Sequence, residues 1–247
     1  MACESQITGT LNNPTSKLTD AQKMRLVEFQ NGLVMTAQSG TVLMSQRFIE
    51  IFEELARERW IESDRTVPKT AQEAMLALKK EICAHFGCRP STINKTLLHE
   101  GIKVECMFAY YMETAPFIYT ITLYHGIPEP MRDQFVAIGC GDSLAEYLLD
   151  SNLVPDIPDN HGALVAINVI ETVKKYDSGC SGQTHVSLLK LDREKEEVIY
   201  GEFAPEDVNA FAGAYAIAEV RAQNYRNDLM SELMDDWWEE WKAKQKE

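Results

Sequence analysis

The chain has 247 residues, 45% apolar and 25% charged, which excludes disorder and collagen-like repeats and leaves enough length to bury a sizeable core. Lys and Arg number 24 against 38 Asp and Glu, a net charge of −14, so capture of nucleic acid or anionic lipid by the overall field is not expected. No apolar run reaches the roughly 18 residues of a membrane span. The first twenty residues have neither a basic start nor an apolar stretch, so no secretory leader is expected, and a cytoplasmic location is.

Residues 1–22 are polar and turn-rich. Residues 23–37 read as two short strands around Gln30-Asn31-Gly32, because Asn-Gly between apolar runs is a hairpin signal. The apolar period then lengthens. Val42, Leu43, Phe48, Ile49, Phe52 and Leu55 predict an amphipathic helix over about 41–60. Pro68 and Thr70 open a second helix with Ala74, Met75, Leu78, Ile82 and Phe86 on one face. Residues 87–102, with Gly87, Pro90 and Gly101, read as an excursion carrying a short helix. Strands are predicted at 103–111, 116–124 and 134–139, and helices near 143–150 and 161–176. Residues 184–191 and 197–203 read as a hairpin, and 205–244 as helix opened by Pro205-Glu206-Asp207. Blocks of antiparallel strands separated by helix pairs predict an α+β fold, a four-layer αββα sandwich over 1–204 with 87–102 inserted and a helical extension over 205–247. On that extension Phe211, Tyr215, Ala218, Tyr225, Leu229, Leu233 and Trp237 share roughly one face, which predicts packing onto the chain's own domain or onto a neighbouring subunit.

Six cysteines (Cys3, Cys83, Cys88, Cys106, Cys140, Cys180) are scattered along a long chain, a pattern of thiols rather than of a disulfide framework. Cys83 and Cys88 flank His85, but no second pair follows at zinc-finger spacing, so neither a metal nor an organic cofactor is expected. His161 and His185 lack spaced partners and read as structural.

Four segments, in order, resemble the proteasome β subunits and related bacterial ATP-dependent protease rings, which are N-terminal-nucleophile hydrolases. MACESQITG resembles the family's second strand, and KMRLVEFQNGLVMTAQSG the Lys-led hairpin that ends at the oxyanion turn. FVAIGCGDSLAEYLL resembles the glycine-bearing turn and its helix, and ALVAINVIETVKKYDSGCSGQTHVSLL the long helix, the Asp-x-x-Ser-Gly turn and the following strand. The resemblance implies peptide-bond hydrolysis by the hydroxyl of an N-terminal Thr, with its own amine as base. It implies Glu4 as the acidic partner, Lys23 as the lysine that tunes proton transfer, and Gln38-Ser39-Gly40 in the oxyanion turn. It also implies Asp177, with Cys180 or Ser181 in the Ser role, as organisers of the amine, and Asp142 or Ser143 as support. Apart from the resemblance, Glu4 reads as a solvated terminal carboxylate. Lys23 reads as a hairpin-edge lysine and Asp177 as a helix C-terminal turn residue.

The chain departs from that pattern. Only Met1, Ala2 and Cys3 precede Glu4, too few for the expected first strand and its Thr. Cys3 adjoins Glu4 in one strand and faces the opposite side; Thr8 and Thr10 lie downstream. Gln38 stands where the family usually has Gly, Cys140 stands at a Ser position, and Cys180 stands at another unless Ser181 fills it. The expectation is a threonine-peptidase-like protein, inactive as given, acting on peptide or protein if active. The alternative is a non-catalytic ring-forming or binding module on the same fold, and a further one an unrelated α+β protein. Self-association into a ring or stacked oligomer is expected on either of the first two.

Overall fold

The fold is described from a computed structural model, which covers residues 2–4, 7–8, 17–18, 23–113, 115–130, 135–152, 159–177, 180, 183–192, 194–195 and 197–244. Three short strands come first: β1 (Ala2–Glu4), β2 (Ile7–Thr8) and β3 (Lys17–Leu18). The predicted hairpin is β4 (Met24–Phe29) and β5 (Gly32–Gly40). Its loop is Gln30-Asn31, with Gly32 already paired to Phe29 rather than at the turn centre. Neighbouring structure explains the shift. Asn31 exchanges side-chain hydrogen bonds with the backbone of Ile61, and a Cβ at Gly32 would lie 2.9 Å from the Ile61 Cδ1. The same contacts end the first helix early. Helix α1 runs Val42–Ala56 rather than to about 60, because Arg59 and Ile61 spend their backbone groups on the hairpin loop.

Helix α2 (Thr66–Phe86) ends on Gly87, whose φ of +61° closes the helix in the left-handed region. The excursion contains a short 3₁₀ turn (Pro90–Thr92) and α3 (Ile93–His99). Strands β6 (Val104–Met112) and β7 (Ala115–Thr122) follow, then a two-residue β8 (Glu129–Pro130) that the apolar pattern did not announce. The order β4-β5-β6-β7-β8 makes one five-stranded antiparallel sheet. Residues 135–138 form no strand, contrary to expectation. Their apolar side chains instead wall the cavity described below.

Helices α4 (Asp142–Asn152) and α5 (Asp159–Tyr176) lead to β9 (Thr184–Asp192), β10 (Glu197–Glu202) and α6 (Pro205–Lys244). A three-stranded sheet has the order β1-β9-β10. Strand β6 shows why the core divides. Val104, Cys106, Phe108 and Tyr110 are buried on one face, whereas Glu105, Met107, Ala109 and Tyr111 alternate to the other. The first face packs under α1 and α2, where Phe108 meets Phe52 at 4.8 Å and Phe48 at 6.1 Å between ring centroids. Burial of each such ring stabilises the fold by about 1.5–3 kcal/mol. On the opposite side, Ala145, Val169, Val173 and Cys180 form a smaller core between α4 and α5.

The first turns of α6 dock through Val208 and Ala212, and Phe203 meets Phe211 edge-on at 6.2 Å. Farther along, Ile217, Val220 and Tyr225 are exposed, so this stretch does not pack onto the chain's own domain as one expectation had it. The side chains of Leu229, Leu233 and Trp237 lie outside the described residues. Among the described residues no helix is long and apolar enough to cross a membrane.

Candidate functional site

The unpacked face of the five-stranded sheet looks onto a cavity of about 510 Å³. Met35, Ala37, Met107 and Ala109 line it from the sheet, Ala145 and Leu149 from α4, Ala166, Val169 and Val173 from α5, and Leu188 and Leu189 from β9. Most of this wall is apolar. Polar groups gather at one end, where Lys23, Gln38, Ser39, Cys140, Asp142 and Cys180 reach the cavity.

The end of β5 and two turns build that end. Gln38, Ser39 and Gly40, expected as a turn, are instead the last residues of β5, paired with Cys106, Glu105 and Val104 of β6. Gly40 has φ +103°, and a Cβ there would sit 2.3 Å from the Lys103 carbonyl oxygen, so the strand end can lie this close to Lys103 only as glycine. It is held further by Gln38 N–H donating to the Lys23 carbonyl at 3.0 Å and by the Ser45 hydroxyl donating to the Ser39 carbonyl at 3.1 Å. A Cβ at Gly139 would lie 3.0 Å from the Ser39 Oγ, and one at Gly141 would lie 2.2 Å from the Val173 Cγ1 and 3.3 Å from the Cys180 Sγ. The turn around 139–141 is thus wedged between the end of β5 and the end of α5.

The second turn follows α5. Asp177 N–H donates to the Val173 carbonyl and Cys180 N–H to the Asp177 carbonyl, at 2.8 and 3.0 Å. This tight turn carries Asp177 and Cys180 to Cys140. Ligand atoms of all three lie within 4.8 Å of one another, and the two sulfurs are 2.8 Å apart.

The structure therefore brings Lys23, Gln38, Ser39, Asp142, Cys180 and, through its cluster, Asp177 to one end of one cavity. Ser143 is exposed, its amide and hydroxyl both spent on the Asp142 carboxylate. Glu4 enters only through its backbone, paired with Thr184 at the start of β9. Its side chain and Ser181 lie outside the described residues.

Two neighbouring features were not singled out from the sequence. Burial pushes the Glu105 carboxyl above its ordinary value, with Asp142 and Glu146 adding to the effect and the Gly139 backbone N–H opposing it. A single carboxylate within the apolar run VECMFAYYM was the available signal. Between α5 and β9, Lys174 donates to Glu171 at 2.8 Å, and Thr184 bridges the two. Burial would raise the Glu171 carboxyl, but hydrogen bonds from Lys174 and Thr184 outweigh it and hold the group below its ordinary value. The i, i+3 spacing of Glu171 and Lys174 was legible; their link to Thr184 across 10 or more residues was not.

No protein-family model matches the sequence, and no curated protein matches it. Solved structures do. Anbu, described as an ancestral beta-subunit, from Yersinia bercovieri superposes with a TM-score of 0.66 at 10% identity, covering 90% of this chain and 91% of that one. The Gly-1 mutant of Anbu from Hyphomicrobium sp. strain MC1 gives 0.65 at 12%, covering 90% of each. The helical assembly of the Anbu complex from Pseudomonas aeruginosa gives 0.63 at 14%, covering 91% of this chain and 90% of that one. The expected membership of the proteasome β-subunit family is corrected accordingly: the sequence matches no family, and the structural likeness is to Anbu proteins. At these identities the likeness establishes the fold, a mixed α and β architecture with a five-stranded antiparallel sheet, shared over nine-tenths of the chain.

Proposed function

We propose that this chain is a self-assembling subunit with a four-layer αββα arrangement, and that the cavity between its layers binds an extended peptide segment without cleaving it. The observation that carries the reading is the convergence of the end of β5, held close at Gly40, the 139–141 turn and the hydrogen-bonded turn after α5 on one end of an otherwise apolar cavity of about 510 Å³. An apolar trough with polar groups at one end suits a peptide whose side chains enter the trough while its main chain meets hydrogen-bonding groups. Lys23 and the side chains of Gln38 and Ser39 at the end of β5 supply such groups. Hydrolysis needs in addition an activated nucleophile with a base beside it. We read the lysine, amide and hydroxyl groups at this end of the cavity as binding groups. Self-assembly is supported by the likeness to the Pseudomonas aeruginosa Anbu structure, itself a helical assembly. The exposed Ile217, Val220 and Tyr225 on α6 also support it.

Two measurements on the full chain test the reading. A library of fluorescent peptides should bind saturably, and Ala109→Trp, which fills the trough, should abolish binding while the chain stays folded by circular dichroism. Fluorogenic peptides should show no turnover. Hydrolysis that disappears in Lys23→Ala would replace this reading with a peptidase one, and absence of peptide binding would remove it.

A further inference from the structure

We infer that Cys140, Asp177 and Cys180 form a binding site for a thiophilic divalent cation of the zinc type, independently of any peptide bound in the trough. The cluster joins two thiols and a carboxylate whose ligand atoms lie within 4.8 Å of one another. Each of these groups ligates in its deprotonated form, and two sulfurs with one carboxylate oxygen match the donor preference of Zn²⁺. Binding of the dication would displace the thiol protons and leave the three ligands holding it as anions.

The donors sit on a built scaffold. Asp177 and Cys180 belong to one hydrogen-bonded turn at the end of α5. Cys140 comes from the turn before α4, pressed onto that end by the tight fit of Gly141 against Val173 and Cys180. The small core of Ala145, Val169, Val173 and Cys180 holds the two helices together beneath it. Cys180 is buried and Cys140 exposed, so the point is anchored on one side and accessible on the other. Cys140 and Cys180 also line the cavity, so water or a ligand atom from that side could complete a four-coordinate ion.

Two Zn–S bonds of about 2.3 Å at a tetrahedral angle put the sulfurs about 3.8 Å apart. The sulfurs here are at 2.8 Å, so binding requires them to part by about 1 Å, within the reach of a side-chain adjustment at exposed Cys140. A disulfide is the competing chemistry for this pair, and peptide mapping separates the two.

Co²⁺ serves as a spectroscopic probe. The full chain, kept reduced and stripped of metal, is titrated with Co²⁺ and then Zn²⁺. One Co²⁺ per chain should bind, with a thiolate-to-cobalt charge-transfer band in the near ultraviolet that Zn²⁺ bleaches. Cys140→Ser, at an exposed position, should abolish the band. Asp177→Asn should keep a thiolate band but weaken binding by about tenfold or more, at least the range seen for residues that only support a ligand. The double variant Cys83→Ser/Cys88→Ser should bind as the parent does. The inference is overturned if no band develops, or if the band survives Cys140→Ser and vanishes in the Cys83/Cys88 variant. Unchanged cobalt affinity in Asp177→Asn overturns it too, as does peptide mapping that finds Cys140 and Cys180 still joined by a disulfide after the metal-free chain has been treated with reductant.

Discussion

Replacing Gly141 by Ala puts a methyl group 2.2 Å from the Val173 Cγ1, far inside van der Waals contact, so the turn or α5 must move. Forcing an extra carbon into a packed site costs about 1–3 kcal/mol. Val173→Ala alone removes two methyl groups from a side chain that is 4% exposed and costs about 1–3 kcal/mol through the cavity left behind. In the double variant the new methyl occupies that cavity. Its nearest remaining neighbours are the Cys180 Sγ at 3.3 Å and the Val173 Cβ at 3.6 Å, which are close to ordinary contacts. The two losses should therefore not add, and the double variant should be more stable than their sum by at least about 1 kcal/mol. The gain that Ala brings by restricting the unfolded chain is the same in both backgrounds and cancels in the cycle. Urea unfolding of the four proteins, with midpoint and slope fitted together, measures the coupling. Additivity within about 0.5 kcal/mol would refute the close approach of the 139–141 turn to α5, and with it the geometry of the polar end of the cavity.

Phe108→Ala should destabilise the chain by about 3–5 kcal/mol in urea unfolding, because Phe108 is fully buried between Phe48 and Phe52; a loss below about 1 kcal/mol would show that α1 does not pack on this face of the sheet. Glu105, raised from an ordinary value of 4.5 chiefly by burial, holds its proton more tightly in the folded chain than in the unfolded one. Its contribution to stability is therefore fully present below the unfolded value and is lost as pH rises through the folded one. Glu105→Gln should flatten that decline in unfolding free energy as pH rises above the ordinary carboxyl value of 4.5, and an identical slope in variant and parent would contradict it.

The strands at 103–111 and 116–124, both long helices of the first half and the final hairpin were legible because each carries an unbroken period of two or of three to four apolar residues, and period is a local property. Boundaries failed where distant groups intervened. Gly32 left the turn and α1 ended at Ala56 because the loop at Gln30-Asn31 is bonded to residues 59–61. The apolar run at 135–138 was mistaken for a strand because a cavity wall and a sheet interior select the same side chains.

By itself the sequence determined a mixed α and β fold, the order of its longer helices and strands, and the short stretches where chemistry could gather: Lys23, residues 38–40, the glycine-bearing turn near 140 and the turn at 177–180. It could not establish a family, since at 10% to 14% identity to the Anbu structures the residues that carry the likeness are too few. Only the tertiary structure decided that Gly139 abuts Ser39, that Gly141 abuts Val173 and Cys180, and that two cysteines separated by 40 residues lie with their sulfurs 2.8 Å apart. The physical reason is that burial patterns specify which face of each element turns inward, whereas the contacts between turns depend on missing side-chain volume at particular glycines. That volume registers only once the elements have packed.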